Sequence, residues 1–158
     1  MIIIFSKNHL SGQPMVLDID EYDENVATLL ESACRCKYSS YIVIKHVTVT
    51  GGKDWMLYSK IILNVEDVET YKRSIEFDRN LIEPNNLDLT NQFINWWKID
   101  MATIDYVERD SQSFTDIFYI KPTIEGKVAI YMSTDGGKQG FSKEVWDMIK
   151  QKGAKVMN

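Results

Sequence analysis

The sequence is poor in the residue types and spacings from which catalytic and metal sites are built. Its 158 residues include only two cysteines and two histidines. It contains no P-loop, dinucleotide fingerprint, metal-ligand spacing or nucleophile elbow. These gaps predict that the chain is not an enzyme and has no catalytic, metal or cofactor site. They favour a protein that acts by covering another protein.

Long apolar runs are missing as well, which argues against membrane and exported proteins. No run approaches the roughly 20 residues that a membrane-spanning helix needs. The run Ile2-Ile3-Ile4-Phe5 is too short for the core of a signal peptide, and no basic residue precedes it. Cys34 and Cys36 lie two positions apart, where helical side chains point to nearly opposite sides, so they cannot form a useful disulfide. The sequence thus predicts a cytoplasmic protein with no membrane partner.

Basic charge is in short supply and unevenly distributed. The formal net charge is −5 and the pI is near 5.0. Residues 1–116 hold 11 basic and 19 acidic residues, a balance of −8, whereas residues 117–158 hold 7 and 4, a balance of +3. Non-specific nucleic-acid binding needs clustered Lys and Arg to displace phosphate counterions, so we expect no nucleic-acid partner. A basic protein is the compatible partner, because attraction between opposite charges steers the two proteins together.

Glycine and proline are also sparse, with eight and three residues, and the hydrophobic content of 44% is ordinary for a globular chain. Chains divide into separate cores only at about 250–300 residues. The sequence contains no linker, internal repeat or low-complexity tract. It therefore predicts a single domain over residues 1–158.

Alternating β-branched residues predict a hairpin in the first half of the chain. Residues 41–50 are rich in β-branched side chains and alternate from Lys45 onward. Gly51 and Gly52 supply the positive φ that a tight turn requires, and residues 55–65 return as the partner strand. Further strands are predicted at residues 2–5, 15–19, 99–108, 115–121 and 127–133.

Apolar residues at helical spacing predict the helices. The first helix begins after its cap Asp23, ends near Lys37 and carries Val26, Leu29, Leu30 and Ala33. Residues 66–78 favour a helix over their first part, although residues 74–77 alternate like a strand. The predicted fold class is α+β, with a largely antiparallel sheet, hairpins and about three helices.

Two more helices are predicted in the second half of the chain. Asp88 or Thr90 can cap a helix that carries Phe93, Ile94 and Trp97. Ser142 can cap a terminal helix over residues 142–153 that buries its apolar face, made of Val145, Trp146 and Ile149.

Five acidic residues are crowded into seven positions: Asp18, Asp20, Glu21, Asp23 and Glu24. A solvated helix N-terminus is one interpretation, because the helix dipole favours carboxylates there. A calcium loop fits poorly, since Asp23 stands where the loop glycine belongs and Leu29 stands where the bidentate glutamate belongs. The third interpretation is a docking surface, because a basic partner would relieve the repulsion among these carboxylates.

Two adjacent tryptophans lie on the predicted helix before residue 98, where neighbouring side chains diverge by about 100°. Trp97 shares a face with Phe93 and is predicted to lie in the core. Trp96 then either packs under a loop or forms an exposed interface anchor. We therefore include Trp96 among the predicted partner-binding residues.

Three further features are interpreted as structural. His46 lies in a strand, where a lone histidine is a packed or surface residue more often than a catalyst. Residues 134–140 are rich in glycine but lack the Gly-Lys-Ser/Thr ending of a phosphate loop. The later acids are interpreted as a solvated sheet face without a catalytic carboxylate pair: Asp100, Asp105, Glu108, Asp110 and Asp116.

In size, acidity and order of elements the chain resembles the immunity proteins of bacterial toxin systems, in particular those of contact-dependent growth inhibition. The likeness runs from the opening segment Met1-Ile2-Ile3-Ile4-Phe5-Ser6-Lys7 to the closing amphipathic helix at residues 141–153, and it includes no diagnostic motif. It implies a non-enzymatic inhibitor that binds a basic toxin domain, such as a nuclease, and blocks its site. The alternative is a small cytosolic enzyme or ligand-binding domain whose pocket is built from residues distant in sequence.

Overall fold

The computed structural model describes residues 15–19, 23–34, 37–51, 56–76, 78–110, 112, 115–135 and 155–156. Ten strands are found among these residues. The strands are β1 (Met15–Ile19), β2 (Val43–Gly51), β3 (Met56–Asn64), β4 (Asn80–Ile82), β5 (Thr90–Asn91), β6 (Ile94–Lys98), β7 (Ile104–Asp110), β8 (Thr115–Ile120), β9 (Lys127–Asp135) and β10 (Lys155–Val156). Eight of them form one antiparallel sheet in the order β10-β1-β2-β3-β9-β8-β7-β4, and β5 pairs with β6 separately.

Helices are few in the described part of the chain. The two α-helices are α1 (Glu24–Cys34) and α2 (Val68–Ser74), and short 3-10 helices lie at Val65–Asp67, Pro84–Asn86 and Met101–Thr103. The largely antiparallel sheet is therefore confirmed, but the fold is richer in strand than a balanced α+β protein. Within the same ranges, no helix combines the length and the apolar character needed to cross a membrane.

The predicted hairpin of residues 41–50 and 55–65 is confirmed by the pairing of β2 with β3. The two strands are antiparallel, and Thr50 lies opposite Met56 while Val49 lies opposite Leu57. Val47, Val49 and Leu57 are buried, as strand alternation requires. The turn at residues 52–55 lies outside the described residues.

The large sheet carries a separate apolar core on each face. Ile117 and Phe118 are neighbours on β8 but belong to different buried clusters, because successive strand residues point to opposite faces. The face of Ile117 is covered by α1 and α2, and we call it the helical face. The face of Phe118 is covered by the β5–β6 segment, and we call it the hairpin face.

Helix α1 begins where the sequence predicts. The Asp23 carboxylate accepts a hydrogen bond from the backbone N–H of Val26 at 3.1 Å, so Asp23 is the predicted N-cap. Val26 and Leu30 are buried against the helical face of the sheet. The described part of the helix runs to Cys34, and Lys37, the predicted end, is not helical.

The helix predicted around Phe93, Ile94 and Trp97 is wrong, because this segment is the β5–β6 hairpin. The Asn91 side chain accepts a hydrogen bond from the backbone N–H of Phe93 at 2.9 Å, which stabilises a turn in place of a first helical turn. Residues 94–98 are rich in β-branched and aromatic side chains, which suit a strand on a half-buried surface.

The other predicted elements differ mainly in their ends. Residues 66–78 begin as a helix, which confirms that prediction as α2, and residues 115–121 and 127–133 are β8 and β9 with small changes. Strand β7 starts at Ile104 and not at Ile99, because Asp100 caps the 3-10 helix that precedes it. The strand predicted at residues 2–5 and the terminal helix with Trp146 lie outside the described residues.

Candidate functional site

The structure describes part of the predicted acidic group. Asp18 lies in β1 opposite Thr48 of β2 and Lys155 of β10. Asp23 and Glu24 are both exposed at the start of α1, where the carboxylate of Asp23 also caps the helix. Asp20 and Glu21 lie outside the described residues. The docking role of the group therefore stays a prediction.

Trp96 is half-buried on the hairpin face, and three contacts hold its ring there. Its indole Nε1 donates a hydrogen bond to the Thr48 hydroxyl at 2.9 Å. Its ring stacks on His46 with a centroid distance of 5.0 Å, and it meets Trp97 edge-on at 5.8 Å. Trp97 is only 1% exposed, which confirms it as a core residue. The ring of Trp96 is therefore held in place by its neighbours and does not project freely into solvent.

A cleft of about 280 Å³ opens on the hairpin face, near the β2–β3 turn end of the sheet. Its walls come from β3, β7, β8, β9 and the loop before β5. The polar side chains of this wall include Tyr58, Asp88, Arg109, Asp116 and Asp135. Three carboxylates against one guanidinium give the cleft a negative character, so it suits a cationic group better than an anion.

Arg109 and Asp116 form the most ordered part of the cleft wall. Arg109 Nε and Nη2 donate to the two carboxylate oxygens of Asp116 at 2.6 and 2.9 Å, a bidentate ion pair across β7 and β8. The hydrogen bond to Asp116 raises the pKa of Arg109. On the floor of the cleft, Trp97 Nε1 donates to the backbone carbonyl of Asp88 at 3.1 Å.

A second polar cluster lies on the helical face and centres on Glu108 of β7. Its carboxylate lies 2.9 Å from Arg79 Nε and 3.7 Å from Lys72 Nζ. The Tyr119 hydroxyl donates to Glu108 Oε2 at 3.0 Å. Lys72 Nζ also lies above the ring of Tyr106, 4.9 Å from its centroid. The cluster fixes α2 and the segment after it to the sheet.

This cluster corrects the interpretation of the later acids as a solvated face. Glu108 and Asp110 are only 8% and 4% exposed, and Asp116 is ion-paired. Only Asp100 and Asp105 are exposed among the five acids. The cause is the helical layer, since α2 and Arg79 bring cations and apolar surface over the strand that carries Glu108.

Tyr119 makes the Glu108 cluster sensitive to alkali. Burial raises the pKa of Tyr119 above its ordinary value of 10.0, and the nearby Glu108 charge raises it further. Burial also raises the pKa of Tyr106, whose ring stacks on Tyr119 at 4.4 Å. Above pH 10 the unfolded chain loses phenolic protons that the folded chain retains.

We therefore expect the free energy of unfolding to fall as pH rises above about 10. Each tyrosine that ionises only in the unfolded state contributes up to about 1.4 kcal/mol per pH unit. Urea titrations from pH 8 to pH 11 measure this slope. The variant Tyr119→Phe should show a shallower decline, whereas an equal decline in both proteins would assign the effect to other groups.

What these groups can do chemically follows from their pairing. Within the described ranges, no three His, Cys, Asp or Glu side chains come together as possible metal ligands. Glu108 accepts one hydrogen bond and faces two cations, and Arg109 is held in a bidentate pair. Both clusters therefore cross-link strands, while the open cleft beside Arg109 is left as a possible binding surface.

Comparison of the chain with protein-family models, curated proteins and solved structures finds no match. The function must therefore be argued from the charge, exposure and contacts of this chain alone.

Proposed function

We propose that this chain is a non-enzymatic inhibitor, an immunity protein that binds a basic toxin domain in the cytoplasm and occludes its site. The observation that carries the proposal is the charge of the described surface, where exposed carboxylates outnumber exposed cations. The exposed acids are Asp23, Glu24, Glu66, Glu69, Glu76, Asp78, Glu83, Asp88, Asp100, Asp105 and Glu125. The exposed bases are Lys37, Lys45, Arg73, Lys98, Lys121 and Lys127.

The physical argument runs from this charge to the kind of partner. A nuclease must attract phosphate groups and therefore carries basic residues around its active site. An acidic protein is attracted to the same basic surface, and this attraction raises its association rate. Once bound there, it blocks the substrate sterically. The predicted contact residues are Asp18, Asp20, Glu21, Asp23, Glu24 and Trp96.

The buried polar groups support a binding role over a catalytic one. Glu108 contacts Lys72, Arg79 and Tyr119, so its carboxylate is held by structural contacts. A general base must instead be free to reach a substrate proton. The surface charge, by contrast, is available to a protein partner.

The test is a charge reversal in the predicted acidic group. We expect the combined substitutions Asp20→Lys, Glu21→Lys and Glu24→Lys to lower the association rate with a purified basic toxin domain, taken from the neighbouring gene where that gene encodes one, by at least about tenfold. The wild-type rate should also fall as salt rises, because the Debye length is only about 8 Å at physiological ionic strength. Stopped-flow fluorescence measures both rates.

The matched control makes the same change of charge around β4, an edge strand of the sheet. Glu76, Asp78 and Glu83 are exposed on both sides of β4, and their replacement by Lys alters the net charge equally. If both triple variants slow association equally, the acidic group has no specific role. If wild-type protein neither binds nor inhibits the basic domain, the proposed function is wrong.

The cleft favours a second candidate, a ligand-binding domain. Its volume of about 280 Å³ is close to the lower limit for small-molecule sites, and its wall combines aspartates with the half-buried ring of Tyr58. A cationic small ligand such as spermidine should then raise the thermal midpoint, because the stabilisation grows as RT ln(1 + [L]/Kd) with free ligand concentration. A midpoint that does not depend on ligand concentration argues against this candidate.

A further inference from the structure

Three loops meet at the end of the sheet opposite the cleft, and backbone hydrogen bonds join them. The N–H of Val65 donates to the carbonyl of Gly126 at 2.9 Å, and the N–H of Lys121 donates to the carbonyl of Thr103 at 2.9 Å. We call this surface the acidic tip and define it by three segments: residues 65–67, 100–103 and 121–126. Because the loops are tied to one another, the tip has a defined shape before any partner binds.

The β8–β9 turn in the tip is a tight turn closed by hydrogen bonds and followed by a left-handed residue. The N–H of Gly126 donates to the carbonyl of Thr123 at 2.9 Å, and the N–H of Thr123 donates to the carbonyl of Lys127 at 2.9 Å. Gly126 has a φ of +72°, which explains the glycine at that position. Ile124 occupies the first central position of the turn, where proline is favoured and most residues are compatible. The turn itself therefore does not require an apolar residue there.

Exposed apolar side chains are concentrated at the tip. Ile124 is fully exposed, and Val65 and Met101 are 45% and 43% exposed. These are three of the six exposed large hydrophobic residues in the described part of the chain. Single exposed apolar residues are normal on protein surfaces, but several at one end indicate an interaction surface.

Acidic side chains surround these apolar residues. The acids of the tip are Glu66, Asp67, Asp100 and Glu125, and Glu66, Asp100 and Glu125 are exposed. The nearby cations are Lys121, whose Nζ donates to the Ala102 carbonyl at 3.0 Å, and Lys127, whose Nζ contacts Asn64. Both ammonium groups thus contact oxygen atoms of the tip or of Asn64 beside it. Asp67 and Asp100 accept local hydrogen bonds from Asn64 and Ala102, whereas Glu66 and Glu125 are exposed.

We propose that the acidic tip is a second contact surface for the basic toxin domain, besides the acidic group at residues 18–24, with Ile124 as its apolar anchor. The inference rests on the proposed inhibitor function and adds this second surface to it. An apolar centre with a charged rim is the arrangement of a binding hot spot, in which the rim steers the partner and the centre holds it. The partner has a basic surface, because acids outnumber bases in the rim of the tip. It also has an apolar pocket that receives Ile124.

The experiment measures the affinity for, and the inhibition of, the same purified basic toxin domain. Replacing Ile124 by Asp should weaken binding about 30-fold or more, the effect of losing one hot-spot residue. The thermal midpoint should not change, because Ile124 makes no core contact. Leu81→Asp is the matched control, since Leu81 is 73% exposed on β4 and the substitution is chemically the same.

A second variant tests the rim and leaves the apolar anchor Ile124 unchanged. The substitutions Glu66→Lys and Glu125→Lys together should slow association and reduce its dependence on salt. If Ile124→Asp unfolds the protein, this pair still tests the tip by itself. Equal affinity of wild type, Ile124→Asp and the rim variant would overturn the inference while leaving the inhibitor function intact.

Other outcomes separate the two proposals further. Failure of the wild-type protein to bind or inhibit the basic domain would overturn the inhibitor function, and the inference with it. A concentration-dependent dimer in sedimentation, lost on Ile124→Asp, would assign the tip to a second copy of the chain and overturn the inference. Equal weakening by Ile124→Asp and Leu81→Asp would also overturn it, because the effect would then not be specific to the tip.

Discussion

Replacing Trp97 by Ala is expected to lower the free energy of unfolding by about 3–5 kcal/mol, the range for removing a large aromatic side chain from a core. Trp97 is 1% exposed and meets the rings of Tyr58, Phe118 and Tyr131 at centroid distances of 4.9, 5.8 and 5.6 Å. The substitution leaves a cavity between the β5–β6 hairpin and the sheet. It also leaves the Asp88 carbonyl without the indole donor. Urea unfolding followed by circular dichroism measures the loss.

Phe93→Ala is the control for this prediction. Phe93 lies in the same hairpin as Trp97 but is 37% exposed, so its loss should change stability by much less. If both variants lose the same stability, the hairpin is held by its backbone pairing and not by the tryptophan.

Replacing Glu108 by Ala is expected to cost about 3–5 kcal/mol, because it removes one partner of a buried ion pair and leaves the other uncompensated. The side chains of Glu108 and Arg79 are only 10% and 19% exposed. Lys72 and Tyr119 lose a partner in the same step. Glu108→Gln should cost less, since the amide oxygen can still accept the Tyr119 hydrogen bond.

Asp105→Ala provides the comparison for Glu108, because Asp105 is an exposed acid on the same strand. It should change stability by less than about 0.5 kcal/mol. Chemical denaturation of the three variants at pH 7 gives the comparison. Similar losses for Glu108→Ala and Asp105→Ala would mean that the cluster is solvated and contributes little.

The central hairpin can be predicted from the sequence because its signals are local. Alternation from Lys45 predicts the two strands without reference to the rest of the chain, although Gly51 is itself the last residue of β2 and the turn after it lies outside the described residues. Asp23 is predictable as a cap for the same reason, since the hydrogen bond it makes spans only three residues. Local patterns of this kind do not depend on tertiary packing.

The error at residues 90–98 shows where local patterns stop being informative. Phe93, Ile94 and Trp97 have helical spacing, but their segment is short and lies on a sheet face that supplies partners for the tryptophans. Trp96 donates to Thr48, which is 48 positions away. Contacts over that distance add to the local turn and strand preferences, and no window of sequence contains them.

The polar clusters were missed for a related reason. The sequence places Arg109 in a loop, but β7 continues to Asp110 and sets Arg109 opposite Asp116. Extending the predicted strand by two residues would have been enough to find this pair. The Glu108 cluster could not be found in that way, because Lys72 and Arg79 approach it from α2 and from the segment that follows α2.

The pairing of β3 with β9 has a consequence for how the chain folds. Nine residue pairs join these strands, from Asn64 with Lys127 to Met56 with Asp135, and every pair is more than sixty positions apart. The β2–β3 and β8–β9 hairpins can each form within microseconds, since their loops are short. The pairing of β3 with β9 requires the whole chain between these two strands to close into a loop. The chain is therefore expected to fold in milliseconds to seconds, like other proteins in which the paired strands are far apart in sequence.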